Sequence, residues 1–281
     1  MHKRVTTAAF RKMKQDKQKI SMLTAYDYPT GKILDASGVD GILVGDSLGM
    51  VVLGYEDTTR VTMEDMVHHI KAVSRGVERA LVVGDMPFLS YHMGIEQSVR
   101  NAGRIIQEGR AQAVKLEGGQ EILDDISAII KAGIPVMGHL GLTPQSIHNI
   151  GGYFIQGKTV EQAQKLIQDA KALEDAGVFA LVLECIPAEL ADLISSQLSI
   201  PTIGIGAGKG CDGQILVTHD LLGIYQGKSP SFVKRYAEIG ITMEKAVSQY
   251  IQEVKQGFFP GENQSFHMDA EIVEKLYGGG N

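Results

Sequence analysis

ALVVGDMPFLSYHMGIEQSVRNAGRIIQEGRAQAVKLE, residues 80–117, decides the fold. An apolar run closes on Asp85, an amphipathic segment of helical length follows from Ile95 to Gln107, and a second apolar run ends on Glu117. Two apolar runs joined by an amphipathic crossover read as parallel strands with a helix between them. The same alternation continues on both sides of this unit. Strands are expected at Ser21 to Tyr26, Gly41 to Gly45, Ala80 to Asp85, Ala113 to Glu117, Pro135 to His139, Phe179 to Glu184, Thr202 to Gly206 and Gln214 to Thr218. Helices are expected at Met63 to Gly76, Ile95 to Gln107, Gln120 to Ala132, Val160 to Ala176, Ala188 to Gln197 and Thr242 to Gln256. Thr62 with Asp65, and Thr159 with Gln162, supply helix-start signals of the capping-box type. Eight strands alternating with helices predict an α/β fold, a closed (β/α)8 TIM barrel, as a single domain over residues 1–281 with a short N-terminal arm and a frayed GGGN tail. The eighth strand follows the seventh after only a glycine-rich turn, with no room for a helix.

Length and composition agree. A chain of 281 residues with 44% apolar content can bury a full core. No stretch approaches the roughly 18 apolar residues of a membrane helix, and MHKRVTTAAFRKMKQDKQK lacks the apolar centre of a signal peptide, so a soluble, cytoplasmic protein is expected. Cys185 and Cys211 have no metal or disulfide spacing and read as reduced thiols. A net charge of −6 without a basic run beyond the arm gives no footprint for nucleic acid. Small-molecule chemistry remains.

Four apolar runs end in a carboxylate: LVGDS at Asp46, VVGDMP at Asp85, VKLEGG at Glu117 and LVLECIP at Glu184. Acids at the ends of buried strands are costly unless something positive collects them. Neighbouring strands lie about 4.8 Å apart, so Asp46, Asp85 and Glu117 on three successive strands fall within about 10 Å of one another. Three carboxylate pairs at close range would repel by on the order of 12 kcal/mol at an effective dielectric near 20, a cost that a cation removes. Oxygen ligands without paired His or Cys favour magnesium over zinc. The plainer reading is that these acids cap helices or pair with Arg or Lys. Glu184 faces the ion from two strands further round and is placed to move a proton. Lys115 shares a face with Glu117, where it can neutralise a substrate carboxylate or an enolate, or alternatively form a Schiff base. His139 closes the fifth strand without an assigned role.

Two connections exceed the roughly 12 to 15 residues of ordinary loops: Asp46 to Val61 and Leu140 to Lys158. Both leave from the carboxyl ends of strands, where they either close over a ligand or form oligomer contacts, and Gly151 with Gly152 would supply the flexibility. Weaker signals are set aside. GKGCDG, residues 208–213, has GxGxxG spacing but precedes a strand, so it reads as a tight turn. His68 and His69 are adjacent on a helix and cannot face one ligand. His219 and Asp220 form a conceivable pair after the last strand.

TAYDY, VGDSLGM, GDMPF, VKLEGG, GHLGLTPQS, GGYFIQG, LVLECIP, IGIGAG, DGQILVTHDLLG and PGENQSFH occur in this order from Thr24 to His267. In these long strings the chain resembles the ketopantoate hydroxymethyltransferase family. The resemblance implies a phosphoenolpyruvate/pyruvate-type barrel, and Mg2+-dependent transfer of a hydroxymethyl group from 5,10-methylenetetrahydrofolate to 3-methyl-2-oxobutanoate. The product would be 2-dehydropantoate, at the first committed step toward pantothenate and coenzyme A. Position by position it implies Asp46 and Asp85 as metal ligands with Glu117 as a further metal-associated acid. It implies Asp46, Ser47, Asp85 and Lys115 as keto-acid contacts and Glu184 as the catalytic proton acceptor. It also implies a homodecamer. Three rivals stay open: a folate-independent magnesium lyase on a related barrel, a Schiff-base aldolase using Lys115, and a barrel that binds a small acid without turnover.

Overall fold

The computed structural model describes residues 4–224, 227 and 229–278. Among them, strands β1 (Ile20–Thr24), β2 (Gly41–Val44), β3 (Leu81–Asp85), β4 (Ala113–Glu117), β5 (Val136–Gly141), β6 (Ala180–Glu184), β7 (Thr202–Ile205) and β8 (Gly213–Leu216) pair in parallel, each with the next. β8 pairs back onto β1 and closes the barrel. The helices are α1 (Thr7–Gln15), α2 (Tyr28–Ala36), α3 (Leu48–Val51), α4 (Met63–Gly76), α5 (Ile95–Gln107), α6 (Leu123–Lys131), α7 (Ile147–Ile150), α8 (Val160–Ala176), α9 (Ala188–Gln197), α10 (Thr218–Leu221), α11 (Ile239–Gln256) and α12 (Ala270–Tyr277). No helix among the described residues is long and apolar enough to cross a membrane. Gly279, Gly280 and Asn281, read above as part of a frayed tail, lie outside the described residues.

All eight expected strands are present, with ends displaced by a residue or two. The expected limits of α4, α5, α8 and α9 coincide with the observed ones. At α4 the capping box is complete: Asp65 N–H donates to Thr62 Oγ1 and Thr62 N–H donates to Asp65 Oδ2. At α8 it is divided, because Gln162 N–H donates to Thr159 while Gln162 Oε1 accepts from Lys158 N–H. The segment Gln120 to Ala132 begins as a short 3-10 turn before α6.

Alternation along each strand sorts side chains into two shells. Ile42, Val44, Val82, Val114, Leu116, Leu181 and Leu183 face outward and pack beneath the helices. Ile20, Met22, Leu43, Leu81, Val83, Ala113, Met137, Val182, Ile203 and Ile215 fill the barrel. Phe10 of α1 enters the same cluster from below, fully buried, its ring edge-on to Phe179 at 6.2 Å between centroids. With the interior packed and the lower mouth plugged, the carboxyl ends of the strands are left for chemistry.

Between β7 and β8 the chain turns within seven residues. Asp212 fixes this turn by accepting from Lys14 Nζ at 2.8 Å and from Thr202 N–H at 2.9 Å. The GKGCDG stretch is thus a tight turn, as expected from its sequence. α11 follows the last strand but buries no residue of its own, an unusual state for a barrel helix.

Candidate active site

The barrel's register sets the site. Asp85 is the direct partner of Lys115 across β3 and β4, Glu117 of His139 across β4 and β5, and Gly141 of Glu184 across β5 and β6. Gly141 adopts φ 94°, and any side chain there would collide with the Glu184 carbonyl. Glycine therefore lets β5 run alongside the end of β6, where Leu142 N–H donates to that carbonyl at 2.8 Å. Immediately after Glu184, Cys185 lies in the left-handed region at φ 47°, a conformation that costs a non-glycine residue about 1 to 2 kcal/mol and ends the strand at the acid. Both cysteines are free thiols.

The acids expected from sequence converge. Lys115 Nζ lies 2.7 Å from Asp85 Oδ1, 3.3 Å from Glu117 Oε1 and 3.2 Å from His139 Nδ1. His139 continues the chain: Nδ1 is 3.3 Å from Glu117 Oε1 and Nε2 is 3.3 Å from Glu184 Oε2. Asp46 N–H donates to Asp85 Oδ2 at 3.1 Å, which ties the tips of β2 and β3 together. Asp46, Asp85, Lys115, Glu117 and His139 are all buried, whereas the Glu184 side chain keeps 17% exposure. Ser47 turns from Asp46 toward Tyr26, with 2.8 Å between the two hydroxyls.

Burial drives every acid here toward its neutral form, and the neighbours decide which ones resist. Glu117 is held down to about 2, because the Lys115 and His139 charges, with hydrogen bonds from His139 and the Gln145 N–H, outweigh its burial. Burial and Lys115 push His139 down, yet the Glu117 charge and the bonds to Glu117 and Glu184 prevail and raise it to about 9. Asp46 is pushed well up by burial and by the Asp85 and Glu117 charges. Asp85 is also raised, since burial exceeds the help it receives from Lys115.

These residues fit a divalent cation. Among the described residues, Asp46, Asp85, Glu117 and Glu184 meet Lys115 and His139, so the cluster holds two more acids than bases. Asp85 Oδ1, although at ion-pair distance from Lys115, accepts no aligned hydrogen bond. The donors are oxygens, the set that suits magnesium. Among the described residues, however, no three His, Cys, Asp or Glu side chains form a ready cage. Glu117, expected as a further metal-associated acid beside Asp46 and Asp85, faces Lys115 and His139 and accepts from the Gln145 N–H at 3.1 Å.

Sequence reasoning missed Gln145 and Tyr91. Gln145 Nε2 donates to Asp46 Oδ2 at 2.8 Å and to Met86 O at 2.9 Å, while its Oε1 accepts from Tyr91 OH at 2.7 Å. Neither residue carries charge, and nothing in their spacing marks them. The two long connections do meet over the barrel: Tyr153 OH donates to Met50 Sδ at 3.6 Å, and His148 Nε2 lies 3.3 Å from Asp57 Oδ2. A cavity of about 610 Å³ opens beside Glu117, lined in part by Phe88, Tyr91, Gln145, Asn149 and Lys165. His69 and His219 do not join the acid cluster. His69 Nδ1 bonds the Tyr26 carbonyl oxygen, and His219 packs on the Tyr26 ring while Asp220 accepts from Ser229, so His219 and Asp220 form no visible catalytic pair.

Among solved structures, phosphonopyruvate hydrolase superposes with a TM-score of 0.62 at 12% identity, over 97% of this chain and 94% of the other. 2,3-Dimethylmalate lyase, a PEP mutase/isocitrate lyase superfamily member, gives 0.58 at 16% identity, over 96% and 94%. At such identities the likeness establishes the fold alone, a TIM barrel. Two relatives are named 3-methyl-2-oxobutanoate hydroxymethyltransferase. The one from Acetivibrio thermocellus is 63% identical over 276 residues, 98% of each chain, and the one from Enterococcus faecalis is 59% identical over 272 residues, 97% of this chain and 99% of the relative. With the profile described as Ketopantoate hydroxymethyltransferase matching residues 4–262, the chain belongs to the ketopantoate hydroxymethyltransferase family and is a transferase.

Proposed function

We propose that this chain transfers a hydroxymethyl group from 5,10-methylenetetrahydrofolate to 3-methyl-2-oxobutanoate in a Mg2+-dependent reaction that yields 2-dehydropantoate, the first committed step toward pantothenate and coenzyme A in the cytoplasm. The observation that carries this reading is the acid cluster with Lys115 and His139 at one barrel mouth, in a chain 63% identical to a relative named for the reaction. Asp46 and Asp85 would hold the ion, with Glu117 behind them as a further metal-associated acid. Bound there, a divalent cation supplies Lewis-acid polarisation of a keto carbonyl.

The chain's own groups do the rest. Ser47, braced by Tyr26, offers a hydroxyl to the keto-acid carboxylate, and Asp46, Asp85 and Lys115 border the same end of the substrate. Glu184, less buried than the other acids and opposite them, takes the proton from C3. Lys115 faces the negative charge that then develops on the enolate oxygen. His139 stands between Glu184 and Glu117, 3.3 Å from each carboxylate. Water releases the methylene carbon from the folate as formaldehyde, its two hydrogens going to the folate nitrogens, and C3 then adds to that carbonyl carbon while the proton taken by Glu184 goes to the new alkoxide. The cavity near 610 Å³ adjoins the cluster at Glu117 and Gln145, which supports entry of a second, larger reactant from that side. The exposed apolar faces of α11 and of the segment after it support a homo-oligomer, with the homodecamer as the expected state.

The decisive assay combines 3-methyl-2-oxobutanoate and 5,10-methylenetetrahydrofolate. Product should form with Mg2+, stop with EDTA and return with added Mg2+. Equal product without folate, or full activity in EDTA, would overturn the reading.

A further inference from the structure

Gln145 is 5% exposed and lies in the short 3-10 turn Pro144–Ser146, at the head of the connection between β5 and α8. Each of its polar groups named here is occupied by a different part of the site. The amide nitrogen gives one hydrogen bond to Asp46 Oδ2, at the tip of β2, and one to the Met86 carbonyl, just past β3. The amide oxygen accepts from Tyr91, whose hydroxyl also meets Glu117 N–H at 3.2 Å. The backbone N–H of Gln145 reaches Glu117 Oε2. One neutral side chain therefore joins an acid assigned to the ion, the acid behind it and a surface loop.

That loop continues through Gly151 and Gly152, both at positive φ, to Tyr153, Phe154 and Ile155, each more than half exposed. An amide suits this position because it donates to a carboxylate without cancelling its charge. A lysine there would compete with the ion, and a glutamate would add a fifth acid. Carboxylates that hold a metal are themselves held by hydrogen bonds, and loss of such a partner typically costs 10- to 100-fold in metal affinity.

We propose that Gln145 is a positioning residue that sets Asp46 and Glu117 for the divalent cation and ties the 146–156 loop to the ion's presence. This rests on the metal reading given above. The link runs both ways: if the bonds of Gln145 favour the ion-binding pose of Asp46, the ion must favour the pose of Gln145, and so the docked loop.

The test uses the full-length protein with Mn2+ as probe, binding followed by its spin-resonance signal and loop order by amide hydrogen exchange, both without turnover. Wild-type protein should bind Mn2+ and show slower exchange across residues 146–156 when it does. Gln145→Ala should bind 10- to 100-fold more weakly and lose the exchange response, with Tyr91→Phe intermediate. Circular dichroism and urea midpoints check folding, and if Gln145→Ala does not fold, Gln145→Asn and Tyr91→Phe decide the matter. Wild-type protein that takes no Mn2+ would remove the metal reading and this inference with it. Wild-type binding matched by the folded variants, with an equal loop response, would overturn this inference alone.

Discussion

Lys115 Nζ stands 2.7 Å from Asp85 Oδ1, and the two residues are direct register partners on adjacent strands. Their side chains keep only 4% and 2% exposure. Burial works against the ammonium, but Asp85, Glu117 and Asp46 outweigh it and hold Lys115 above its ordinary range. An amine kept protonated in this way is not a nucleophile, so the geometry disfavours the Schiff-base aldolase among the rivals that the sequence left open.

Two outcomes follow for Lys115. Borohydride added during turnover should leave the wild-type mass unchanged, and an adduct mapped to Lys115 by mass spectrometry would restore the aldolase. Lys115→Met should lower kcat/KM by about 10²- to 10³-fold, the usual cost of removing a charge aimed at a developing oxyanion. A loss under about threefold would remove Lys115 from the enolate.

Glu184 is expected to act on the C3 proton even when no one-carbon donor is present. In D2O with Mg2+ and 3-methyl-2-oxobutanoate alone, wild-type protein should exchange the C3 hydrogen, as seen by proton NMR. Glu184→Gln, which keeps the shape and removes the basicity, should slow that exchange by about 10²- to 10⁴-fold. Exchange at the wild-type rate would assign the base elsewhere.

How far these roles could be read from sequence depends on the kind of signal. Strands buried on both faces leave continuous apolar runs, and helices with a capping residue such as Thr62 leave a punctuated start, so both were legible. α1 was not: of its nine residues only Phe10 is buried, and docking under the barrel, more than an apolar stripe, keeps it in place. α2 was not among the expected helices: it carries Pro29 and Gly31, of which proline is favoured in a first turn, and Asp27 caps it by accepting from Thr30 N–H. The acids showed themselves because charge at the end of an apolar run is conspicuous. The place of His139 between Glu117 and Glu184 needed the stagger of three strands, which no single segment encodes.

His139 should make the stability of the metal-free protein depend on pH. Its folded value of about 9 lies above the ordinary 6.5, so the folded state binds this proton more tightly than the unfolded one. That contribution is complete below pH 6.5 and is lost as the pH climbs through about 9, for a total on the order of 3 kcal/mol. Urea midpoints of wild-type protein with EDTA should fall across this window, and His139→Gln should flatten the fall. A parallel decline in the variant would assign the dependence to another group.

The C-terminal arm should hold subunits together. In α11, Ile239, Met243, Val247 and Ile251 recur every four residues, Tyr250 and Val254 lie beside them on the same face, and every one of the six is exposed. Phe258 and Phe266, beyond the helix, are more exposed still. A stripe of this length on a barrel helix is expected to be covered, and in this fold the matching surface is most simply supplied by another copy of the chain. Wild-type protein should therefore sediment as an oligomer, and Val247→Asp combined with Ile251→Asp should shift it toward the mass of one chain. Both positions are exposed, so the variant should keep its circular dichroism. A wild-type protein that sediments as a single chain, or a double variant whose assembly is unchanged, would show that the stripe serves some other contact.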